Sequence, residues 1–530
     1  MLKKYYSFCN RLLIIIVLCS CIITEAQVPT KRTDFTITLT DGVILDCSKF
    51  EPQTNPPSGG FKCIIICHGF GRSKEDHFHE AEDHARYGYY SMCYSMRGQG
   101  GSTGYSNFIS RVEMKDLMEV IAYVQKEPNA NGNKIAVTGA SQGGIIPFMA
   151  ACYSAPLSCV VPELASPEFA SNWIENGCVK MTLLWSLSYD ESIVRYNDEV
   201  KRYRNWCVSD NPDDWDKLAY ELPKDRDYLD KVKNCKVPVL ASNSWEDKFF
   251  NTLGMIRAAD EMKAPYKMYF GSITGHGGTI NDAEKSFHRT LVGSWFNYWL
   301  NGRSSGLMLD ENKFYYASTT FSGASINFVR AQSKSWEPSE VKQTKLYFNS
   351  SNQLSTTAEN NPNNYVTLFN EYKNGMSLIT GVYEKFTGSK FESHFTKNTL
   401  SFSSGTLDKE TILAGTPQVK LYYSSNARMC QYNFQIWEVG PDGSENFVAS
   451  INYTDRHNTP NHQKEELIYG TSYSHIFKKG SRIKIVLTNL DTRPNDAFLR
   501  TYPFVLPVFE NSENKIYTGS SYIVLPIKNN

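Results

Sequence analysis

Between Asp34 and Phe50, apolar and polar residues alternate on both sides of Asp41-Gly42, the pattern of a β-hairpin. "FKCIIICHG", starting at Phe61, is an unbroken apolar run, which predicts a strand buried on both faces; "YYSMCYS", starting at Tyr89, predicts another. In "SRVEMKDLMEVIAYVQKEP", Leu117, Ile121 and Val124 recur at helical spacing. Ser110 and Glu113 form a capping-box pair at its start, and Pro128 stops it. Strand "KIAVTG" and a helical run from Ile145 to Cys152 follow, then strands "VPVLASNS" and "YKMYFGSIT" with a helix around Met255 to Met262 between them. "AEKSFHRTLVGSWFNYWL" closes the series as an aromatic helix. Strands alternating with helices predict an α/β domain with a mostly parallel sheet. Residues of about 166 to 235, rich in Trp, Tyr and charge, break that rhythm and read as a helical insertion. From about Arg303 the helical period fades. Short alternating runs such as "TKLYFNS", "QVKLYYSS", "YNFQIWEVG" and "SRIKIVLTN", separated by Gly, Asn, Asp and Ser, predict an all-β sandwich over 303–530.

Length agrees with two domains: 530 residues exceed what one core organises. The 55 basic residues balance 55 acidic ones, so neither a nucleic acid nor an anionic membrane surface is expected as main partner. The first 26 residues change the picture. Lys3, Lys4 and Arg11 precede an apolar run from Leu12 to Ile23, and Thr24-Glu25-Ala26 ends it with the spacing of a signal-peptidase site. The run is shorter than a membrane span requires. Export is therefore expected, to a secreted or periplasmic destination. Leu18-Cys19-Ser20-Cys21 also fits a lipoprotein box, so lipid attachment at Cys21 is the alternative. Of 13 cysteines none forms a Cys-x-x-Cys pair, which removes support for a zinc or thioredoxin-like site. Cys63 and Cys67 share one face of a strand and read as buried thiols.

"IAVTGASQGGII", from Ile135 to Ile146, carries the chemistry. Gly139-Ala140-Ser141-Gln142-Gly143 fits Gly-x-Ser-x-Gly between a strand and a helix, the setting of a nucleophile elbow. A serine hydroxyl needs a base, and the base needs an orienting carboxylate. In this fold the order along the chain is Ser, acid, His, each at a strand end. Asp247 follows "VPVLASNS" and His276 follows "YKMYFGSIT", which matches; Glu246 is the rival acid. The segment after the first buried strand supplies one oxyanion donor in such proteins, here the backbone N–H of Phe70, and Gln142 N–H supplies the second. This chemistry needs no metal or organic cofactor. His77, His79, Glu80 and His84 in "HFHEAEDH" raise a metal reading that a solvated helix face explains as well. Trp185, Trp206 and Trp215 read as packing residues or as substrate platforms.

With these residues in place the chain resembles the Xaa-Pro dipeptidyl-peptidase-like hydrolases, which include cocaine esterase, α-amino-acid ester hydrolases and glutaryl acylases. The resemblance runs from about Arg32 to the end. It rests on "TLTDGVILDCSKFEP", on "YSMRGQGGSTG" with its Arg-Gly-x-Gly-x-Ser loop, on "ELASPEFASNWIENG" and on "ILAGTPQVKLYYSS" and "FKKGSRIKIVLTN". It implies an α/β-hydrolase fold over about 27–302 with a helical cap, a jelly-roll-like carboxy-terminal domain, and Ser141, Asp247 and His276 as triad. Many members add a tyrosine hydroxyl to the oxyanion hole. This chain has His68-Gly69-Phe70-Gly71 there, closer to feruloyl and related esterases, and a phenyl ring cannot donate. Three functions follow. A dipeptidyl-peptidase needs a carboxylate for the substrate amine, with Glu163, Glu168, Asp190 and Glu191 as candidates. A carboxylic esterase needs an apolar acyl pocket. A catalytically inert glycan-binding protein needs neither. Asn349 and Asn452 begin glycosylation sequons.

Overall fold

The computed structural model describes residues 27–209, 211–273, 275–276, 278–373, 394–493 and 502–529. The leader and Cys21 lie outside the described residues. Hairpin strands β1 (Thr30–Thr38) and β2 (Ile44–Pro52) pair antiparallel, Thr38 opposite Ile44 across the Asp41-Gly42 turn. Next come β3 (Phe61–Cys67), α1 (Phe78–Arg86), β4 (Tyr90–Tyr94), α2 (Arg111–Val124), β5 (Ala130–Ala140), α3 (Gln142–Cys152) and β6 (Cys159–Glu163). Among the described residues five α-helices separate β6 from β7: α4 (Phe169–Asn172), α5 (Met181–Ser186), α6 (Asp198–Cys207), α7 (Pro212–Lys224) and α8 (Leu229–Val232). The unit continues with β7 (Val239–Ser244), α9 (Leu253–Glu261), β8 (Tyr266–Gly271), α10 (Asp282–Asn301) and β9 (Phe314–Ser322). Pairing gives the spatial order β1-β2-β4-β3-β5-β6-β7-β8-β9, parallel from β4 onward. This is an α/β-hydrolase sheet.

Local chemistry explains the elements. Ser110 and Glu113 form the expected capping box at the start of α2. In β3, Cys63, Ile65 and Cys67 face one core and Ile64 and Ile66 the other. Hence the unbroken apolar run. Each fully buried isoleucine contributes about 1.5–3 kcal/mol. The α2 and α3 side chains fill the first core, and Leu291 and Trp295 of α10 fill the second. Register sets the strand ends level. Cys67 lies beside Gly139, Ala140 beside Glu163, and Ser244 beside Gly271. The loops after β3, β5, β7 and β8 therefore leave one edge of the sheet together.

Past β9 the described chain is almost entirely β. A four-stranded sheet runs in the order 399–403, 482–488, 430–439, 445–455. Facing it are the strands at 342–348, 365–372, 411–415, 418–425, 512–517 and 522–529. Phe348 bridges the layers, its ring 4.8 Å from that of Phe402 and 5.8 Å from that of Phe434. Strand β9 ties this unit to the hydrolase sheet: Thr319 pairs with His475, and Ser318 Oγ meets Ser474 Oγ at 2.7 Å. The ten described cysteines are all buried free thiols. Burial pushes the Cys63 and Cys67 thiols up to about 12, which makes them inert at neutral pH. The Asn452 amide is spent on Asn433 and Asp491, so its sequon is not presented for modification. Among the described residues no helix is long and apolar enough to cross a membrane.

Candidate active site

Strand β5 ends one residue before Ser141, and α3 begins one residue after it. Ser141 has φ +60° and ψ −126°, a strained conformation for a residue with a Cβ. The turn closes only because glycines flank it. A Cβ on Gly139 would lie 2.1 Å from the Cys67 carbonyl oxygen, and one on Gly143 would lie 2.0 Å from it. The serine side chain projects from the carboxyl edge of the sheet, while Ser141 N–H donates to the Glu163 carbonyl at 2.9 Å. As the first helical residue, Gln142 has an N–H without a partner inside the helix.

Asp247 and His276 come from the loops after β7 and β8. His276 Nδ1 lies 2.8 Å from Asp247 Oδ2. The other carboxylate oxygen, Oδ1, accepts from Phe249 N–H at 2.8 Å and Phe250 N–H at 3.1 Å. The Phe249 ring stacks on the imidazole at 4.5 Å and Phe250 meets its edge at 5.5 Å. The acid and both rings thus fix the imidazole plane. Glu246 does not compete: its carboxylate accepts from Thr279 N–H at 2.5 Å. Ser141 and His276 face one cavity of about 440 Å³. Their side chains do not hydrogen-bond each other here; such bonds commonly tighten only around substrate.

The same cavity is walled by Phe70, Trp173, Trp185, Tyr189, Phe249 and Phe250. Its charged lining residues are Arg72 and Lys248, with His77 beside them; no carboxylate lines it among the described residues. Phe70 presents only a ring and a backbone N–H. His68 Nε2 accepts from Met96 N–H at 2.8 Å, and its Nδ1–H donates to the Gly69 carbonyl at 2.7 Å. Burial holds His68 down at about 4, so this ring is neutral and positions the loop.

The four acids considered for an amine site lie elsewhere. Glu168 pairs with Arg257 at 3.1 Å, exposed Asp190 accepts from Ser192 N–H, and Glu191 pairs with Lys201. Glu163 ends β6 behind the elbow, its carboxyl pushed up to about 8 by burial and then by Glu80. The histidines in and just before α1 pair locally: His77 with Glu80 at 3.0 Å, His79 with Asp83 at 3.2 Å and His84 with Glu80 at 4.0 Å. The described side chains that come close enough to share an ion are Asp213, Asp216 and His457, all exposed, and Asp216 already pairs with Arg456 and His457. Trp185 lines the cavity, whereas Trp215 is buried and Trp206 packs near Tyr203. The basic and aromatic wall from Arg72, Tyr189 and Lys248 carried no motif. The signals available were adjacency alone: Arg72 follows His68-Gly69-Phe70-Gly71, and Lys248, Phe249 and Phe250 follow Asp247.

Residues 41–277 match the X-Pro dipeptidyl-peptidase (S15 family), and residues 306–493 match the X-Pro dipeptidyl-peptidase C-terminal non-catalytic domain. The chain belongs to the X-Pro dipeptidyl-peptidase (S15) family of serine hydrolases. A Bacillus anthracis protein that carries the name Xaa-Pro dipeptidyl-peptidase is 23% identical over 309 residues, covering 53% of this chain. The match spans 44% of that relative's length. A CocE/NonD family hydrolase from Staphylococcus aureus shares the fold of this S15-family chain with TM-score 0.72 and 14% identity, covering 96% of this chain and 98% of its own. An aminopeptidase from a Thaumarchaeota archaeon gives 0.69 at 14% identity, covering 94% and 96%. An α-amino acid ester hydrolase gives 0.68 at 15%, covering 95% and 97%.

Proposed function

We propose that this S15-family protein hydrolyses an acyl ester or amide through an acyl-enzyme on Ser141. The observation that carries this is the 2.8 Å His276–Asp247 bond opening onto the same cavity as the Ser141 elbow. As Ser141 Oγ attacks the carbonyl carbon, His276 Nε2 takes its proton, and Asp247 stabilises the imidazolium. The carbonyl oxygen becomes an oxyanion held by the N–H groups of Phe70 and Gln142; each such donor contributes about 3 kcal/mol. Collapse expels the alcohol or amine, which receives the proton from His276. Water then attacks the acyl carbon, giving its proton to His276, and the acid and free Ser141 are released.

The cavity wall favours a carboxylic ester with an apolar or aromatic acyl group. Among the described lining residues a free ammonium, as on an Xaa-Pro dipeptide, would meet Arg72 and no carboxylate. The second reading, release of Xaa-Pro dipeptides, is supported by the family match. Turnover of p-nitrophenyl acetate and methyl ferulate beside Gly-Pro-anilide separates them. The account expects the esters to turn over and the anilide to be slow. An anilide faster than both esters, abolished by Ser141→Ala, overturns the ester reading. Loss of turnover in Ser141→Ala also excludes the inert glycan-binding alternative. The leader supports export, with cleavage after Ala26 or lipidation at Cys21. The mass and amino-terminal sequence of the mature protein distinguish the two.

A further inference from the structure

Gly71 N–H donates to Gln99 Oε1 at 2.8 Å, and Gln99 Nε2 donates to Gln142 Oε1 at 3.2 Å. Both glutamines are fully buried. One side chain thereby spans the loop that carries Phe70 and the elbow that carries Gln142. The amide orientations follow from the chain. Gly71 N–H requires an acceptor, so Gln99 must turn its oxygen there and its NH2 toward Gln142. Gln142 must then offer its own oxygen, which leaves Gln142 Nε2 buried with no partner. Met96 N–H on His68 staples the other end of the same loop, so residues 68–71 are held at both ends by residues 96–99. Phe70 N–H lies between these two attachments. Gly71 has φ +72°, and a Cβ there would come within 3.0 Å of the Tyr189 ring, so the segment has little room to move by itself.

We infer that Gln99 is a positioning residue that sets the separation of the two oxyanion donors, the N–H groups of Phe70 and Gln142. The inference rests on the reading of Ser141 as nucleophile. Gln99 touches no reacting atom; it acts through Gly71 and Gln142. Gln99→Leu removes the acceptor for Gly71 and the donor for Gln142 while keeping most of the volume. Its expected effect is a fall in kcat of about 10- to 100-fold with KM within about twofold, below the about 100- to 1,000-fold of losing a whole oxyanion donor. A trifluoromethyl ketone, whose adduct carries the oxyanion, loses affinity by the same factor. A carboxylate product does not. Gln99→Glu supplies the second arm. Protonated, the new carboxyl accepts from Gly71 N–H and donates to Gln142; ionised, it sets a negative charge beside the oxyanion. Its kcat relative to the parent, taken per folded molecule with the folded fraction read by circular dichroism at each pH, therefore rises as pH falls from 9 to 6; a role confined to stability changes the folded fraction and leaves that ratio flat.

These results decide the matter. A parallel loss of kcat and ketone affinity in Gln99→Leu supports the inference, and kcat within twofold of the parent overturns it. If Gln99→Leu does not fold, the pH series of Gln99→Glu decides: a rising ratio supports the role and a flat one overturns it. Full activity in Ser141→Ala would instead remove the nucleophile reading on which the inference rests.

Discussion

Replacing Asp247 by asparagine tests the imidazole's orientation without removing its packing. Asp247 Oδ1 accepts two backbone N–H groups, from Phe249 and Phe250, while Oδ2 meets His276 Nδ1 at 2.8 Å. In the amide, the oxygen stays with the two N–H groups, because an NH2 placed against them would leave three donors facing each other. The NH2 then faces His276 Nδ1, which must become the acceptor. The ring proton moves to Nε2, the atom that should receive the Ser141 proton. The wrong tautomer costs about 10⁴ in kcat in a triad of this kind, or about 5 kcal/mol of barrier. Folding changes little, because the hydrogen-bond count and the Phe249 stack are kept. The assay is kcat on a p-nitrophenyl ester together with Tm, for Asp247→Asn and for Glu246→Gln. Among the described residues Glu246 holds Thr279 N–H, which an amide oxygen also accepts, so that variant stays within about threefold. A loss below tenfold in Asp247→Asn, or an equal loss in Glu246→Gln, refutes the assignment of the acid.

Other consequences are equally open to measurement. Arg97 donates to Asp116 through Nε at 2.6 Å and Nη2 at 2.5 Å, with both side chains buried. Arg97→Met leaves the Asp116 carboxylate unpaired in the core and lowers unfolding free energy by about 3–5 kcal/mol in denaturant titration; a loss under 1 kcal/mol contradicts this. Burial lowers His288, bonded to Ser242 Oγ, to about 4. A histidine held neutral binds fewer protons folded than unfolded, so its contribution is complete above pH 6.5 and is lost as pH falls toward 4. Between pH 7 and pH 4, His288→Gln gains about 3 kcal/mol relative to the parent; a difference constant across that range rules out a neutral buried ring.

The sheet was legible because its strands obey simple rules. The continuous apolar run of β3 reflects burial on two faces, and the capping box and Pro128 bracket α2. Gly-x-Ser-x-Gly was legible because Gly139 and Gly143 meet the Cys67 carbonyl too closely for any side chain. The order of Asp247 and His276 followed from strand ends. The choice between Glu246 and Asp247 was not legible, since neighbours in sequence point to opposite sides of a loop and only the fold decides which reaches the histidine. Beyond Phe70 and Trp185 the cavity wall was also hidden. Arg72, Tyr189 and Lys248 come from three separate segments whose meeting depends on the helices between β6 and β7. The bridge through Gln99 left no trace beyond a glutamine inside a glycine-rich loop.

The central claim, that Ser141 is a nucleophile raised by His276 and Asp247, is tested most directly by a fluorophosphonate probe followed by peptide mass mapping. The account predicts one covalent adduct, on the peptide containing Ser141, with labelling rates cut at least a thousandfold in His276→Ala. Absence of an adduct on the folded protein, or an adduct on another serine, contradicts it.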